Sequence, residues 1–183
     1  MQKVLRTTVT FLEMHRKPAL LHVPPPVQSC ALLHAEKPPL HFYRYIYHMV
    51  GRDYAWVTRK RLTDEDLAAI IHHEKTEIYV LYVEGAPAGF FELNFAESPS
   101  VELVFLGLLP EFTGRRLGHF LLAQAIGIAW RGGTARLQVQ TCTLDHPRAL
   151  PLYQRMGFTP FAQDQTEIIP IDDRDHVRLT PSL

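Results

Sequence analysis

The residues with the strongest chemical character lie at positions 108–122, where an apolar run enters a loop of glycine and arginine and a helix is predicted to begin at Leu117. The first turn of a helix presents unpaired N–H groups and a partial positive charge, so it can bind an anion. Gly114 lets a bulky group approach the backbone, and Arg115 and Arg116 add positive charge. The segment therefore predicts a pyrophosphate site, although a capped helix start with surface arginines would have the same residues.

A second segment with chemical potential is His146–Phe158. Pro147 suits the first turn of a helix, and Gly157 is well placed to end it. Tyr153 lies within this predicted helix, where a packed structural tyrosine is the default interpretation. The two segments are separated by one predicted helix and one predicted strand, so the sequence places them on neighbouring parts of one architecture.

Together the two segments resemble the GNAT (Gcn5-related N-acetyltransferase) superfamily, whose signature is Arg/Gln-x-x-Gly-x-Gly/Ala after a strand that ends near a proline. Thr113, Arg116 and Gly118 stand at the three signature positions, and the first two depart from the pattern. The second segment is similar to the family's Asn-x-x-Ala-x-x-x-Tyr-x-x-x-Gly-Phe, with His146 at the Asn position. The resemblance covers about residues 76–169.

The resemblance implies transfer of an acetyl group from acetyl-CoA to a primary amine by direct attack, with no metal and no covalent enzyme intermediate. It implies that Tyr153 protonates the departing thiolate as a general acid. A backbone N–H near Leu108, freed by a splay of the strand, would stabilise the oxyanion. The cofactor contacts that we predict are Leu108, Leu109, Pro110, Thr113, Gly114, Arg115, Arg116, Leu117, Gly118, His119, His146 and Tyr153.

The amine must also lose a proton, and Glu102 is the predicted general base. It lies within an apolar run, and burial raises the pKa of a carboxyl group and makes it a better base near neutral pH. The Glu-Leu-Val-Phe run that it begins resembles the strand of the histone-type members in which a glutamate has this role. A solvent-exposed glutamate at a strand end is the alternative, and Glu92, one strand earlier, is the reserve candidate.

The acceptor contacts are predicted from the N-terminal half of the chain. Aromatic and basic residues are frequent between positions 43 and 59, and Trp56 and Arg59 are the candidates, together with Glu92. An arginine there would bind a carboxylate on the acceptor. The alternative is that the same side chains pack helices and form ion pairs.

The elements that must position these residues follow from periodicity and from breaker residues. The predicted order is strands at about 4–14 and 27–34, a helix at 40–50, a helix beginning at Thr63, a three-strand meander within 78–109, a helix at 117–130, a strand at about 137–141, a helix to Met156, a strand from Phe158 and a polar tail after Pro170. Strands and helices in this order predict an α/β fold with a mixed sheet, and the resemblance implies the GNAT fold, a splayed sheet of about six or seven strands flanked by helices. We expect one domain over 1–183, in which 1–75 supplies N-terminal strands and acceptor-side helices and 76–169 forms the cofactor-binding core.

The composition argues against some classes of partner and location. The 183 residues include 19 Lys+Arg and 19 Asp+Glu, and this zero formal charge argues against a nucleic-acid partner. Residues 1–10 show no basic stretch followed by an apolar run, and no segment has the ~20 apolar residues of a membrane helix. With only two cysteines, we expect a cytoplasmic protein with reduced thiols.

Other chemistries have weaker support in the sequence. The loop lacks the Gly-Lys-Ser/Thr of a Walker motif, no Gly-x-Gly-x-x-Gly opens a βαβ unit, and no His-x-x-x-His pair with a third ligand indicates a metal. Cys142, near Asp145-His146, is either a nucleophile or a structural thiol. Two alternatives to acetyl transfer stay open: a longer acyl donor, and a non-catalytic acyl-CoA-binding or regulatory module whose ligand binding would not depend on Tyr153 or Glu102. We expect a homodimer only because many members of the family that the sequence resembles are dimers.

Overall fold

A computed structural model describes residues 4–19 and 22–171, so most of the predicted polar tail lies outside the described residues. The strands are β1 (Leu5–Met14), β2 (Cys30–His34), β3 (Thr76–Val83), β4 (Ala86–Asn94), β5 (Ser100–Leu108), β6 (Arg136–Cys142) and β7 (Thr159–Ile168). The helices are α1 (Leu40–Gly51), α2 (Asp64–Ile71), α3 (Leu117–Ala129) and α4 (Ala149–Arg155), and 3-10 turns occupy Arg59–Arg61 and Pro110–Phe112.

The strands form one sheet of seven in the order β2-β3-β4-β5-β6-β1-β7. The pairing of β5 with β6 is parallel, and the other neighbouring pairs are antiparallel. Helices pack on the sheet, so the predicted mixed sheet of six or seven strands flanked by helices is confirmed.

Strand β1 lies inside the sheet, between β6 and β7, and the two edges of the sheet are β2 and β7. Its Leu12 and Met14 side chains point into the core, and β6 and β7 pair with its backbone on the two sides. The N-terminal strand therefore belongs to the same sheet as the predicted cofactor core.

Two apolar layers cover the sheet. On one face α3 and α4 pack over the central strands, through residues such as Leu103, Leu121 and Tyr153. On the other face α1 and α2 pack over β3 and β4, where Tyr43 and Phe90 are fully buried. Within the described parts of the chain, none of the helices has the length and apolar character that a bilayer crossing requires.

The predicted start of α2 is present in the structure. The Thr63 hydroxyl accepts a hydrogen bond from the Asp66 N–H at 3.1 Å, and three acidic residues occupy the first turn. A hydroxyl cap and acidic side chains satisfy the unpaired N–H groups and the helix dipole at this end. The start of helix α2 is thereby determined by local sequence, and both α2 and the preceding 3-10 turn contact α1.

The sheet opens between β5 and β6. These strands pair only from Ser100 to Leu103, opposite Arg136 to Val139. The register of β4 with β5 shifts so that Glu92 pairs with Phe105 and Leu93 with Leu103, which leaves Val104 as an extra residue in β5. A bulge bends the strand that carries it. The second half of β5 follows β4 and diverges from β6, so a cleft forms at the end of the sheet that leads into α3.

Candidate functional site

The cleft between the diverging strands is a cavity of about 470 Å³. Its sides are the second half of β5, the end of β6, the loop before α3, the first part of α4 and the segment after α1. Because the opening passes between two strands, it connects the α3/α4 face of the sheet with the α1/α2 face. A ligand lying in the cleft can therefore be reached from both sides.

The backbone of β5 presents unpaired peptide groups to this cleft. The Leu109 N–H donates to the Ala88 carbonyl of β4 at 2.9 Å. Since N–H directions alternate along a strand, the N–H groups of Leu106 and Leu108 point to the opposite edge. Pairing with β6 ends at Leu103, so these two donors face the cavity. They provide hydrogen bonds for a carbonyl oxygen or an extended amide chain.

The loop before α3 adopts the backbone conformation of an anion cradle. Gly114 has φ +77° and Arg116 has φ +61°, both in the left-handed region. An added Cβ at Gly114 would meet nothing within 4 Å, so the approach to the backbone is open. These turns lead directly into the first N–H groups of α3, at Leu117 and Gly118. The geometry suits an anionic group at the helix N-terminus.

The left-handed conformation explains why the signature has glycine at the position of Arg116. A residue with a Cβ adopts this conformation at a cost of roughly 1 kcal/mol. Here the exposed Arg116 side chain lines the cavity, as do the side chains of Arg148 and Arg155 on or beside α4. Arg116 therefore lacks the backbone freedom of glycine but places a positive charge beside the anion cradle.

The predicted cofactor residues divide into two groups. Those that line the cavity are Leu108, Thr113, Gly114, Arg116, Gly118, His119, His146 and Tyr153. Four others lie outside the lining: Leu109, Pro110, Arg115 and Leu117. The side chains of Leu109 and Leu117 are buried in the two apolar layers, and the Arg115 guanidinium lies 5.8 Å from the Phe112 ring centroid.

Sequence reasoning missed Arg148, Arg155 and Asp145, which also line the cavity. The two arginines flank Tyr153 in the second motif, and a count of basic residues in that predicted helix would have found them. In the sequence, Asp145 is distinguished only by its position next to His146. Its importance comes from contacts with residues distant in the chain, and no local pattern indicates these contacts.

Tyr153 lies in α4 with its ring packed edge-on to Phe158 at 5.8 Å and only 6% of the residue exposed. Burial raises the pKa of the Tyr153 phenol well above its ordinary value, and the nearby Asp145 carboxylate raises it further. The group is therefore a neutral phenol with a proton to donate throughout the physiological pH range. Its side chain borders the cavity.

Glu102 is half-buried on β5, beside Asn94 of β4 and Gln138 of β6. Burial raises the pKa of its carboxyl group, the Glu92 carboxylate raises it further, and the Arg59 guanidinium lowers it. Glu102 lies outside the cavity lining, on the part of β5 that still pairs with β6. Its assignment as base remains a prediction, and so does that of the reserve candidate Glu92.

Arg59 and Glu92 bind each other. The Arg59 Nη2 lies 2.6 Å from the Glu92 Oε1, and the Tyr43 hydroxyl donates to Glu92 Oε2 at 2.5 Å. The Glu92 side chain is 1% exposed and the Arg59 side chain 15%. Arg44 is likewise held, by Asp64 at 2.7 Å. These pairs fit the interpretation that the cluster packs helices, and direct contact of Arg59 or Glu92 with an acceptor remains a prediction.

Trp56 is the third predicted acceptor contact, and it lines the cavity. Its indole packs on Phe105 of β5 with ring centroids 5.0 Å apart, and its Nε1 donates to Asp145 Oδ1 at 3.2 Å.

Across residues 4–19 and 22–171, no three His, Cys, Asp or Glu side chains group as ligands for a metal ion.

Comparisons with known proteins agree with this architecture. Residues 43–158 match the model of the family described as the acetyltransferase (GNAT) family. This segment begins within α1 and ends just before β7, and it includes β5, β6, the loop before α3 and α4. No curated protein matches the sequence significantly.

Solved structures share the fold at low sequence identity. A functionally unknown conserved protein from Staphylococcus epidermidis has a TM-score of 0.66 at 14% identity over 92% of this chain and 64% of its own. A GCN5-related N-acetyltransferase from Kribbella flavida has a TM-score of 0.59 at 15% identity, over 91% and 60%. A tandem GNAT protein from the clavulanic acid biosynthesis pathway has a TM-score of 0.65 at 16% identity, over 90% and 55%. The chain thus spans roughly three fifths of the length of these relatives.

Proposed function

Because the chain belongs to the acetyltransferase (GNAT) family, we propose that it transfers an acetyl group from acetyl-CoA to a primary amine. The observation that carries the proposal is the cleft between β5 and β6, which joins unpaired strand N–H groups to the left-handed loop at the start of α3. An acyl-CoA has an amide-bearing arm, which suits the strand N–H donors, and a pyrophosphate, which suits the loop at the start of α3. The residues present fit this cosubstrate.

The strand and the loop divide the binding task. The N–H groups of Leu106 and Leu108 would hold the pantetheine arm and the thioester oxygen, because they lie at an edge with no partner strand. Gly114, Arg116 and the first turn of α3 would hold the pyrophosphate by N–H donors and positive charge. Negative charge that develops on the thioester oxygen during attack would be stabilised by fixed N–H donors.

Two side chains would move the protons. As the acceptor nitrogen forms its bond to the acyl carbon and the carbon–sulfur bond breaks, Tyr153 would donate its phenolic proton to the sulfur. The nitrogen releases one proton, which Glu102 would receive, directly or through water. Solvent then returns a proton to Tyr153 and removes one from Glu102, so the enzyme regains its starting state.

The acceptor side of the cleft favours an amine of a small molecule or peptide. The arginines Arg44 and Arg59 are paired with buried or half-buried carboxylates, so their charges are already neutralised. An acceptor with no carboxylate near its amine therefore fits this side of the cleft better than an amino acid does.

A non-catalytic acyl-CoA-binding module is the second candidate, and the departures at Thr113 and Arg116 favour it. Such a module needs the cradle but needs neither a general acid nor a base. Loss of turnover in variants of Tyr153 and Glu102, with binding retained, would exclude it.

Cofactor binding is tested first, by calorimetric titration with acetyl-CoA and CoA. Arg116→Glu is expected to weaken binding by about tenfold or more, because it places a negative charge beside the pyrophosphate and loses a charge-assisted contact. Arg116→Gly removes the charge but relieves the left-handed backbone, so a smaller loss is expected. Arg16→Glu, at an exposed arginine outside the cavity lining, is the matched control. Wild-type protein that binds neither ligand would overturn the proposed function.

The role of Glu102 gives a pH-dependent prediction. Because its pKa is raised, the acidic limb of kcat/KM should lie above the ordinary carboxyl range, and Glu102→Gln should lose that limb together with about 10²- to 10⁴-fold of the rate. Pre-steady-state or initial-rate profiles between pH 5 and about 9 would measure it. Glu97→Gln, at an exposed glutamate, is the control. An unchanged profile would reassign the base.

Glu102→Gln should also change the stability of the fold, in a direction that follows from the raised pKa of Glu102. A carboxyl group whose folded pKa exceeds its unfolded value binds its proton more tightly in the folded state, so its contribution is fully present below the unfolded pKa near 4.5 and is lost as pH rises through the folded pKa. Glu102→Gln has no ionisable group at this position, so the variant does not lose stability in this way as pH rises. The variant should therefore gain in melting temperature relative to wild type as pH rises through that window.

A further inference from the structure

A side-chain bridge crosses the cleft on its α1/α2 side. The Trp56 indole extends from the segment after α1, and its Nε1 donates to Asp145 Oδ1 at 3.2 Å in the loop between β6 and α4. A ring contact of 6.2 Å between Tyr54 and His146 lies beside it. All four residues line the cavity. The two sides of the opening are therefore tied together at the point where the strands have separated.

The Asp145 end of this bridge is rigidly held. Its other carboxylate oxygen, Oδ2, accepts hydrogen bonds from the Thr141 hydroxyl at 2.8 Å and from the Cys142 N–H at 2.9 Å. These bonds fix the carboxylate at the end of β6. Asp145 thus serves Trp56 as a fixed acceptor, and a shift of the indole would leave a charged oxygen with one bond fewer.

The indole end is held by packing. The Trp56 ring centroid lies 5.0 Å from that of Phe105 and 5.4 Å from that of Tyr47. Beneath it is Gly51, where an added Cβ would stand 2.4 Å from the Trp56 Cβ. The side chain therefore fills a site that the chain keeps open by having glycine at that position.

The indole also closes the space above the exposed backbone of β5. An added Cβ at Gly107 would lie 2.3 Å from Val50 Cγ1 and 3.6 Å from Trp56 Cη2. Gly107 lies between Leu106 and Leu108, whose N–H groups face the cleft. The α1/α2 face of the sheet at Gly107, between these two donors, is therefore covered by Val50 and Trp56.

We propose that Trp56 is a specificity-determining residue that restricts the acyl donor to short chains, with Asp145 as the positioning residue that holds the indole across the cleft. The proposal rests on the proposed function and narrows its donor class. An acyl group whose carbonyl is held at β5 would extend its alkyl end toward the bridge. An acetyl group fits, and each added methylene needs the volume that the indole occupies.

The test is calorimetric binding of acetyl-, butyryl- and hexanoyl-CoA to wild type, Trp56→Phe and Trp56→Leu. In the wild type, acyl-CoA affinity should fall by about tenfold or more for each methylene that the Trp56 side chain excludes. Trp56→Leu should raise the ratio of hexanoyl- to acetyl-CoA affinity by about tenfold or more. Trp56→Phe keeps an aromatic ring but loses the N–H donor, so an intermediate shift is expected if Asp145 holds the ring in place.

Controls separate this proposal from the proposed function. Phe161→Ala removes an exposed aromatic ring on β7, outside the cavity, and should leave the chain-length profile unchanged. If wild type binds acetyl-CoA and Trp56→Leu retains the wild-type profile, Trp56 does not set donor length, while the acyl-CoA site stands. If wild type binds hexanoyl-CoA as tightly as acetyl-CoA, Trp56 does not restrict the chain length of the donor. If wild type binds no acyl-CoA, both proposals fail. Circular dichroism confirms that each variant is folded.

Discussion

Tyr153→Phe is expected to lower kcat by about 10²- to 10⁴-fold, the range that a positioned general acid contributes, while acetyl-CoA affinity changes little. The ring of Tyr153 is packed against Phe158 in the α3/α4 layer, so phenylalanine fills the same space. The hydroxyl forms no hydrogen bond with any residue that the structure describes, so its removal leaves no broken protein contact. Steady-state rates and calorimetric titration of the same preparation would measure the two effects separately.

The pH profile adds a second readout for Tyr153. Burial and the Asp145 carboxylate raise the pKa of its phenol, so deprotonation of Tyr153 should not limit the rate in the physiological range. Tyr82→Phe, at a half-buried tyrosine outside the cavity lining, is the matched control and should retain wild-type kcat. Full activity of Tyr153→Phe would show that another donor or solvent protonates the thiolate.

Arg59→Ala is expected to destabilise the fold by about 3–5 kcal/mol, since it leaves the Glu92 carboxylate buried without its cation. Glu92 is 1% exposed and is bound on both oxygens, by Arg59 and by the Tyr43 hydroxyl. For a chain of this size the loss corresponds to a fall in melting temperature of about 6–20 °C. Thermal unfolding followed by circular dichroism would measure it.

Two further variants define the cause of that loss. Arg59→Met combined with Glu92→Leu removes both charges and should restore much of the stability, because well-packed apolar groups replace a buried ion pair at little cost. Arg6→Ala breaks an ion pair whose side chains are 89% and 57% exposed, and it should cost less than about 1 kcal/mol. A stable Arg59→Ala variant with a raised KM for the acceptor would instead support direct substrate binding by Arg59.

Much of the fold could be predicted because its signals are local. The Thr63 cap and the acidic first turn of α2 act within a few residues of the positions they determine. The hairpin of β3 and β4 turns at Glu84 and Gly85, both with positive φ, as the Gly-containing turn predicts. The loop before α3 is also local, since its left-handed residues and the helix start are adjacent in the chain.

The position of β1 could not be read from the same signals. Its alternation predicts a strand, but an alternating strand pairs equally well at an edge or in the interior of a sheet. The choice depends on β6 and β7, whose paired residues lie more than 100 positions along the chain. Pairing over such distances is decided by how the whole chain packs.

By itself, the sequence determined the family resemblance, the strand and helix order, and the anion loop with Arg116 at a glycine position, because each depends on spacing within a short segment. Only the tertiary structure decided the burial of Arg59 with Glu92 and the bridge from Trp56 to Asp145. These features join residues from different elements. Their energies come from desolvation and packing, which exist only once the elements have come together.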